Sequence, residues 1–130
     1  MKFIDYYTLS EGERFTSKFI ITEKLVMDYI TALEDSYESE KVPKYLFAIF
    51  SPIYEAFGGR LSPGTIQIKQ KMEHFQDAAI GDEINVIVTI KEKYKKIERN
   101  YLVYEVDFFK ENELVCKHES THIWDLLQET

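Results

Sequence analysis

One run, PKYLFAIFSPIYEAF from Pro43 to Phe57, constrains the fold more than any other part of the chain. Its apolar positions include Tyr45, Leu46, Phe47, Ile49, Phe50, Ile53, Tyr54 and Phe57, which fall on every side of a helix rather than on one stripe. A helix that is apolar all round must be covered all round. It is shorter than the roughly 20 residues that span a bilayer. It therefore belongs in the middle of the fold, wrapped by something else. Pro43 suits a first helical turn, Pro52 is expected to bend the helix or end a first segment, and Gly58 and Gly59 stop it.

The rest of the sequence supplies the wrapping. GERFTSKFII, from Gly12 to Ile21, alternates loosely and predicts an opening strand. Thr22 can then cap a helix through its hydroxyl, and Glu23 suits the positive helix start. Leu25, Val26, Tyr29, Ile30 and Leu33 recur at helical spacing and give that helix one apolar face. After Gly59 the period changes to two. In GTIQIKQKMEHFQDAAIGDE, Ile66, Ile68 and Met72 share one predicted face. In EINVIVTIKEKY the inner set is Ile84, Val86, Val88 and Ile90. In NYLVYEVDFF it is Leu102, Tyr104, Val106 and Phe108. In ELVCKHESTHIW it is Leu114, Cys116, His118, Ser120, His122 and Trp124. KENEL reads as the hairpin turn between the last two strands. The order is strand, helix, buried helix and four antiparallel strands in one domain over residues 1–130.

Net charge is −7, with the acids scattered. That argues against nucleic acid as a main partner, because phosphate binding needs a basic face. One basic stretch, KEKYKKIER from Lys91 to Arg99, reads either as a solvated hairpin or as a docking point for an anionic carrier such as the phosphates of coenzyme A. The single cysteine, Cys116, cannot close an internal disulfide and suits a reducing compartment. The opening MKFIDYYTLSEGERF is too polar for a signal peptide, and no run is long enough to span a membrane. A cytoplasmic chain is the expectation.

A buried helix wrapped by a curled antiparallel sheet is the hotdog arrangement, of class α+β. The sequence resembles the MaoC-like hydratase/dehydratase branch of that fold, and in particular the front half of double-hotdog acyl-thioester dehydratases. Three stretches carry the likeness: GERFTSKFIITEKLVMDYITAL, VPKYLFAIF, and QKMEHFQDAAIGDEINVIVTI, with Gly81-Asp82 as the best single match. The resemblance implies binding of acyl-coenzyme A or acyl-carrier thioesters, no separate cofactor, and a homodimer or a heterodimer with a similar subunit. It also implies a catalytic Asp followed five positions later by His, just after the first helix.

In EDSYESE that register puts Asp35 in the Asp place and Glu40 in the His place, with Tyr37 between them. Hydration of an enoyl thioester needs a water activated at one carbon and a proton delivered to its neighbour. Histidine suits this because its pKa is about 6.5, whereas a glutamate starts at about 4.3 and needs burial to rise. Asp35 and Glu40 are thus the candidate catalytic pair, in altered form. The resemblance places the thioester carbonyl at backbone N–H groups near Pro43, Lys44 and Tyr45, where the helix start adds positive potential. Three functions stay open: a substrate-holding member or subunit that is inactive alone, an active hydratase with a rearranged site, and a non-catalytic lipid or metabolite binder or thioesterase. Three histidines also invite a metal site, but His118 and His122 lie about 13 Å apart along a strand and cannot chelate together without a bend.

Overall fold

The computed structural model describes residues 3–33, 51–62 and 64–124. The elements follow the predicted order. A short 3-10 turn over Tyr6–Thr8 precedes strand β1 (Arg14–Ile20) and helix α1 (Glu23–Leu33). Helix α2 (Ser51–Phe57) leads to β2 (Ile66–His74), β3 (Glu83–Lys96), β4 (Arg99–Lys110) and β5 (Glu113–Trp124). The strands form one antiparallel sheet in the order β1-β3-β4-β5-β2.

Local chemistry explains the boundaries. Thr22 Oγ1 accepts a hydrogen bond from the Leu25 amide at 3.0 Å, the capping role its position suggests. Gly58, with φ of 74°, ends α2 in a conformation that side-chain-bearing residues avoid. Gly81 turns with φ of 100°, and its N–H reaches the Ile21 carbonyl at 2.7 Å. Asp82 Oδ2 accepts from the Ala79 amide at 2.7 Å and meets Lys110 Nζ at 3.2 Å. The Gly81-Asp82 pair therefore ties the end of β1 to the start of β3.

The core lies on one face of the sheet. Ile84, Val86, Val88 and Ile90 of β3 and Leu102, Tyr104, Val106 and Phe108 of β4 are all fully buried, as alternation predicts. The described part of the central helix packs on that face. Ile53 is fully buried, the Pro52 carbonyl accepts from Ser17 Oγ at 2.7 Å, and the Phe57 ring meets Phe15 at 5.0 Å and Tyr104 at 5.7 Å. Pro43–Phe50 lie outside the described residues, so the expected bend at Pro52, here the second residue of α2, is not seen in full.

Two strand faces differ from expectation. In β2 the pairing slips between Gln67 and Lys69, so Gln67 opposes His122 while Gln70 opposes Ser120. The bulge at Ile68 reverses the phase. Ile66 and Ile68 face outward, 37% and 44% exposed, and Met72 shares the inner face with Gln67 instead. In β5 a second slip, opposite Phe108 and Phe109, leaves Leu114 half-buried on the outer side and buries Val115 as well as Cys116.

The basic stretch is the β3–β4 hairpin, and most of it is exposed. Its two-residue tip, Ile97-Glu98, has φ of 51° and 60°. Such turns favour Asn-Gly; a β-branched residue there carries strain of roughly 1–3 kcal/mol. Below the tip, Tyr94 and Tyr101 stack at 4.7 Å, and Lys93 Nζ lies 4.4 Å from the Tyr6 ring and donates to the Leu9 carbonyl at 2.8 Å.

Candidate functional site

Alternation along β5 sends His118, Ser120 and His122 to the inner face, among apolar neighbours, where each is at most 2% exposed. Polar groups at such depth need partners. The β2 edge provides them. Because of the bulge, Gln67 points inward where the sequence suggested isoleucines, and Gln70 follows on the same face. Gln67 Nε2 donates to Ser120 Oγ at 2.6 Å, and Gln70 Nε2 lies 2.9 Å from His118 Nε2. The His122 ring stacks on Tyr104 at 5.3 Å with an interplanar angle of 13°. The result is a polar row through an otherwise apolar layer.

Burial decides the charge of this row. It holds both imidazoles at a pKa of about 4, with the neighbouring His118 adding to the effect on His122, so both rings are neutral at pH 7. Burial also raises the Tyr104 hydroxyl well above the ordinary phenol value, with the nearby Ser120 hydroxyl acting the other way. That phenol oxygen has no hydrogen-bond partner of ordinary geometry among the described residues. Cys116, likewise buried, is pushed up to about 12 and remains a thiol, which removes it as a nucleophile.

One end of the row opens into a cavity of about 450 Å³. His122 and Gln67 line it from the sheet, Tyr54 from α2, and Arg60, Leu61, Ser62 and Thr65 from the loop that follows α2; Phe3 closes a further side. The loop is held by the N-terminal segment: the Ile4 amide donates to the Arg60 carbonyl at 2.8 Å, and Phe3 bridges Arg60 in parallel. The exposed Arg60 guanidinium stands 5.8 Å from the Tyr54 ring centre. The cavity thus combines a neutral imidazole, hydroxyl and amide groups, apolar walls and one cation. A neutral imidazole in such a place can hydrogen-bond a carbonyl oxygen; with a pKa of about 4 it is a weak proton acceptor.

The residues singled out from the sequence fare differently. Asp35, Tyr37, Glu40, Pro43, Lys44 and Tyr45 all lie outside the described residues. His122 was visible as an inner-face residue of its strand, but not as part of a cavity. Arg60, Ser62, Thr65 and Gln67 carried no signal, because a loop and a bulged strand have no period to read. His118 and His122 do share one face, yet no group of three metal-ligating side chains occurs among the described residues.

No protein-family model matches the sequence, and no curated protein matches it. Solved structures match well. The R-hydratase PhaJ1 of Pseudomonas aeruginosa superimposes with a TM-score of 0.71 at 20% identity, covering 93% of this chain and 85% of that one. A chain of the (3R)-hydroxyacyl-ACP dehydratase complex HadBC from Mycobacterium tuberculosis gives 0.71 at 14% identity, covering 87% and 96%. A monoamine oxidase regulatory protein from Archaeoglobus fulgidus gives 0.77 at 13%, covering 95% of each. At such identities the likeness is one of fold, and the fold is the hotdog fold that the resemblance implied.

Proposed function

We propose that this chain binds acyl thioesters in the manner of MaoC-like hydratases and dehydratases, and that it holds the substrate without converting it alone. The observation that carries the reading is the cavity floor. His122 offers the acyl carbonyl a neutral imidazole, and Arg60 offers a phosphate-bearing carrier a cation at the rim. Neither His118 nor His122 has a pKa near neutrality, the condition under which an imidazole shuttles protons efficiently. The motif register in which Glu40 stands where relatives carry His points the same way.

The partner completes the proposal. Among the described residues strand β2 is an edge, and it exposes Ile66 and Ile68. An open, partly apolar edge of this kind is usually covered. A similar subunit pairing there gives a continuous sheet and supplies the missing acid/base residues, whereas a second copy completes the sheet alone.

Titration calorimetry with a short trans-2-enoyl-coenzyme A, run beside an assay for loss of the enoyl group, tests this. Binding without turnover is expected, weakened about tenfold or more by Arg60→Ala and by His122→Phe. The cavity histidine favours one second reading, a hydratase with a rearranged site. Turnover by the purified chain that disappears in His122→Ala or Glu40→Ala establishes that reading and ends the first. Release of free coenzyme A instead marks a thioesterase. Binding of free acids but not thioesters marks a lipid binder.

A further inference from the structure

At 84%, Ile97 has the greatest exposure of any large hydrophobic side chain among the described residues. It also occupies a left-handed backbone position, with φ of 51°, that disfavours a β-branched residue. Asparagine or glycine there would relieve the backbone and cover no less of the core, since Ile97 covers none. Among the described residues, Ile97 has no place in the buried core. The hairpin that carries it is braced below by the Tyr94–Tyr101 stack and by Lys93. The described part of β5 pairs only as far as Asn100–Trp124, so the last turn, Lys96 to Arg99, extends past its neighbour strand. Lys95, Lys96 and Arg99 surround Ile97 against the single carboxylate of Glu98, and no salt bridge among the described residues engages these three cations.

A complementary surface exists on the same chain. A second cavity, of about 360 Å³, lies between the N-terminal turn, β1 and the end of α2. Phe3, Ile4, Leu9, Phe15 and Phe57 make it apolar, and Asp5 and Glu13 contribute two carboxylates. The hairpin cannot fill its own cavity. Glu13 bonds to Ile90 across the β1–β3 ladder, and Ile97 lies a further seven strand residues away, roughly 20 Å along a braced hairpin. We infer that Ile97 anchors this chain to a second copy of itself, seated in the apolar cavity beside Asp5 and Glu13, with Lys95, Lys96 and Arg99 facing those acids. The contact is separate from the β2 edge and from the thioester cavity. A single anchor with a charged rim makes it weak and salt-sensitive.

Sedimentation velocity tests it, between about 10 µM and about 1 mM, the range in which a one-anchor contact titrates. The wild-type chain is expected to show a sedimentation coefficient that rises with concentration and falls with added salt. Ile97→Asn should abolish that rise and increase the melting temperature, because it removes the anchor and relieves the turn together. Lys96→Glu and Glu13→Lys should each weaken association several-fold at low salt, and the double variant should restore it. Absence of the rise in wild type, its survival in Ile97→Asn, or failure of the charge swap to restore it overturns the inference. So does a non-associating wild-type chain that pelletswith anionic phosphatidylglycerol vesicles, which would place Ile97 on a lipid surface.

Discussion

The two faces of β5 carry polar groups in opposite ways. On the inner face, His118, Ser120 and His122 are buried, neutral and held by amides from β2. On the outer face, Lys117 and Glu119 join a ladder of ion pairs: Lys91 Nζ meets Glu119 at 2.6 Å and Glu105 at 3.7 Å, and Lys117 Nζ meets Glu105 at 3.2 Å. One residue of chain separates the two environments. The inner groups, cut off from water, shed their charge and depend on hydrogen bonds. The outer groups keep their charge, and water screens what they gain from it. At the same 2.6 Å separation, the outer ion pair is therefore a weaker contributor than the inner hydrogen bond.

The contrast is broken most severely at Tyr104, fully buried beneath both His122 and Phe57. Tyr104→Ala should destabilise the chain by about 3–5 kcal/mol in denaturant unfolding, whereas Tyr104→Phe, which removes only a hydroxyl without a well-formed bond, should change stability by less than about 1 kcal/mol. Acid is the next lever. Both histidines titrate at about 4 in the fold against 6.5 in the unfolded chain. The unfolded chain binds more protons in that window, so stability is fully present above about pH 6.5 and falls as pH drops toward about 4. The loss is on the order of 3 kcal/mol per ring. Chemical unfolding followed from pH 7 to pH 4 should show this slope, and His118→Gln should flatten it.

Two smaller changes sharpen the comparison. Ser120→Ala leaves the Gln67 amide without its acceptor and should cost about 1–2 kcal/mol, with little dependence on salt. Glu119→Gln breaks the shortest outer ion pair and should cost less than about 1 kcal/mol, an effect that shrinks further in high salt. An outer-face loss exceeding the Ser120→Ala loss would reverse the ranking of the two faces.

Much of the fold was legible in the sequence. The inner sets of β3 and β4 follow strict alternation, and each member is fully buried. The Thr22 cap and the Gly58 stop were also readable, because each depends on a residue and its immediate neighbours; the Gly81-Asp82 turn came from the family resemblance. The site was less so. Asp35 and Glu40 came from a motif register on residues outside those described, while the cavity residues Arg60, Ser62, Thr65 and Gln67 come from a loop and a bulge.

The sequence by itself determined the element types and the facing of the regular strands, since period and capping are local properties. Only the tertiary structure decided the phase of β2, where the slip at Ile68 turns two isoleucines outward and brings Gln67 inward. Only it decided that His122 opens on the cavity beside Arg60. Both outcomes depend on which residues oppose each other across strands distant in sequence, and no local pattern contains that pairing.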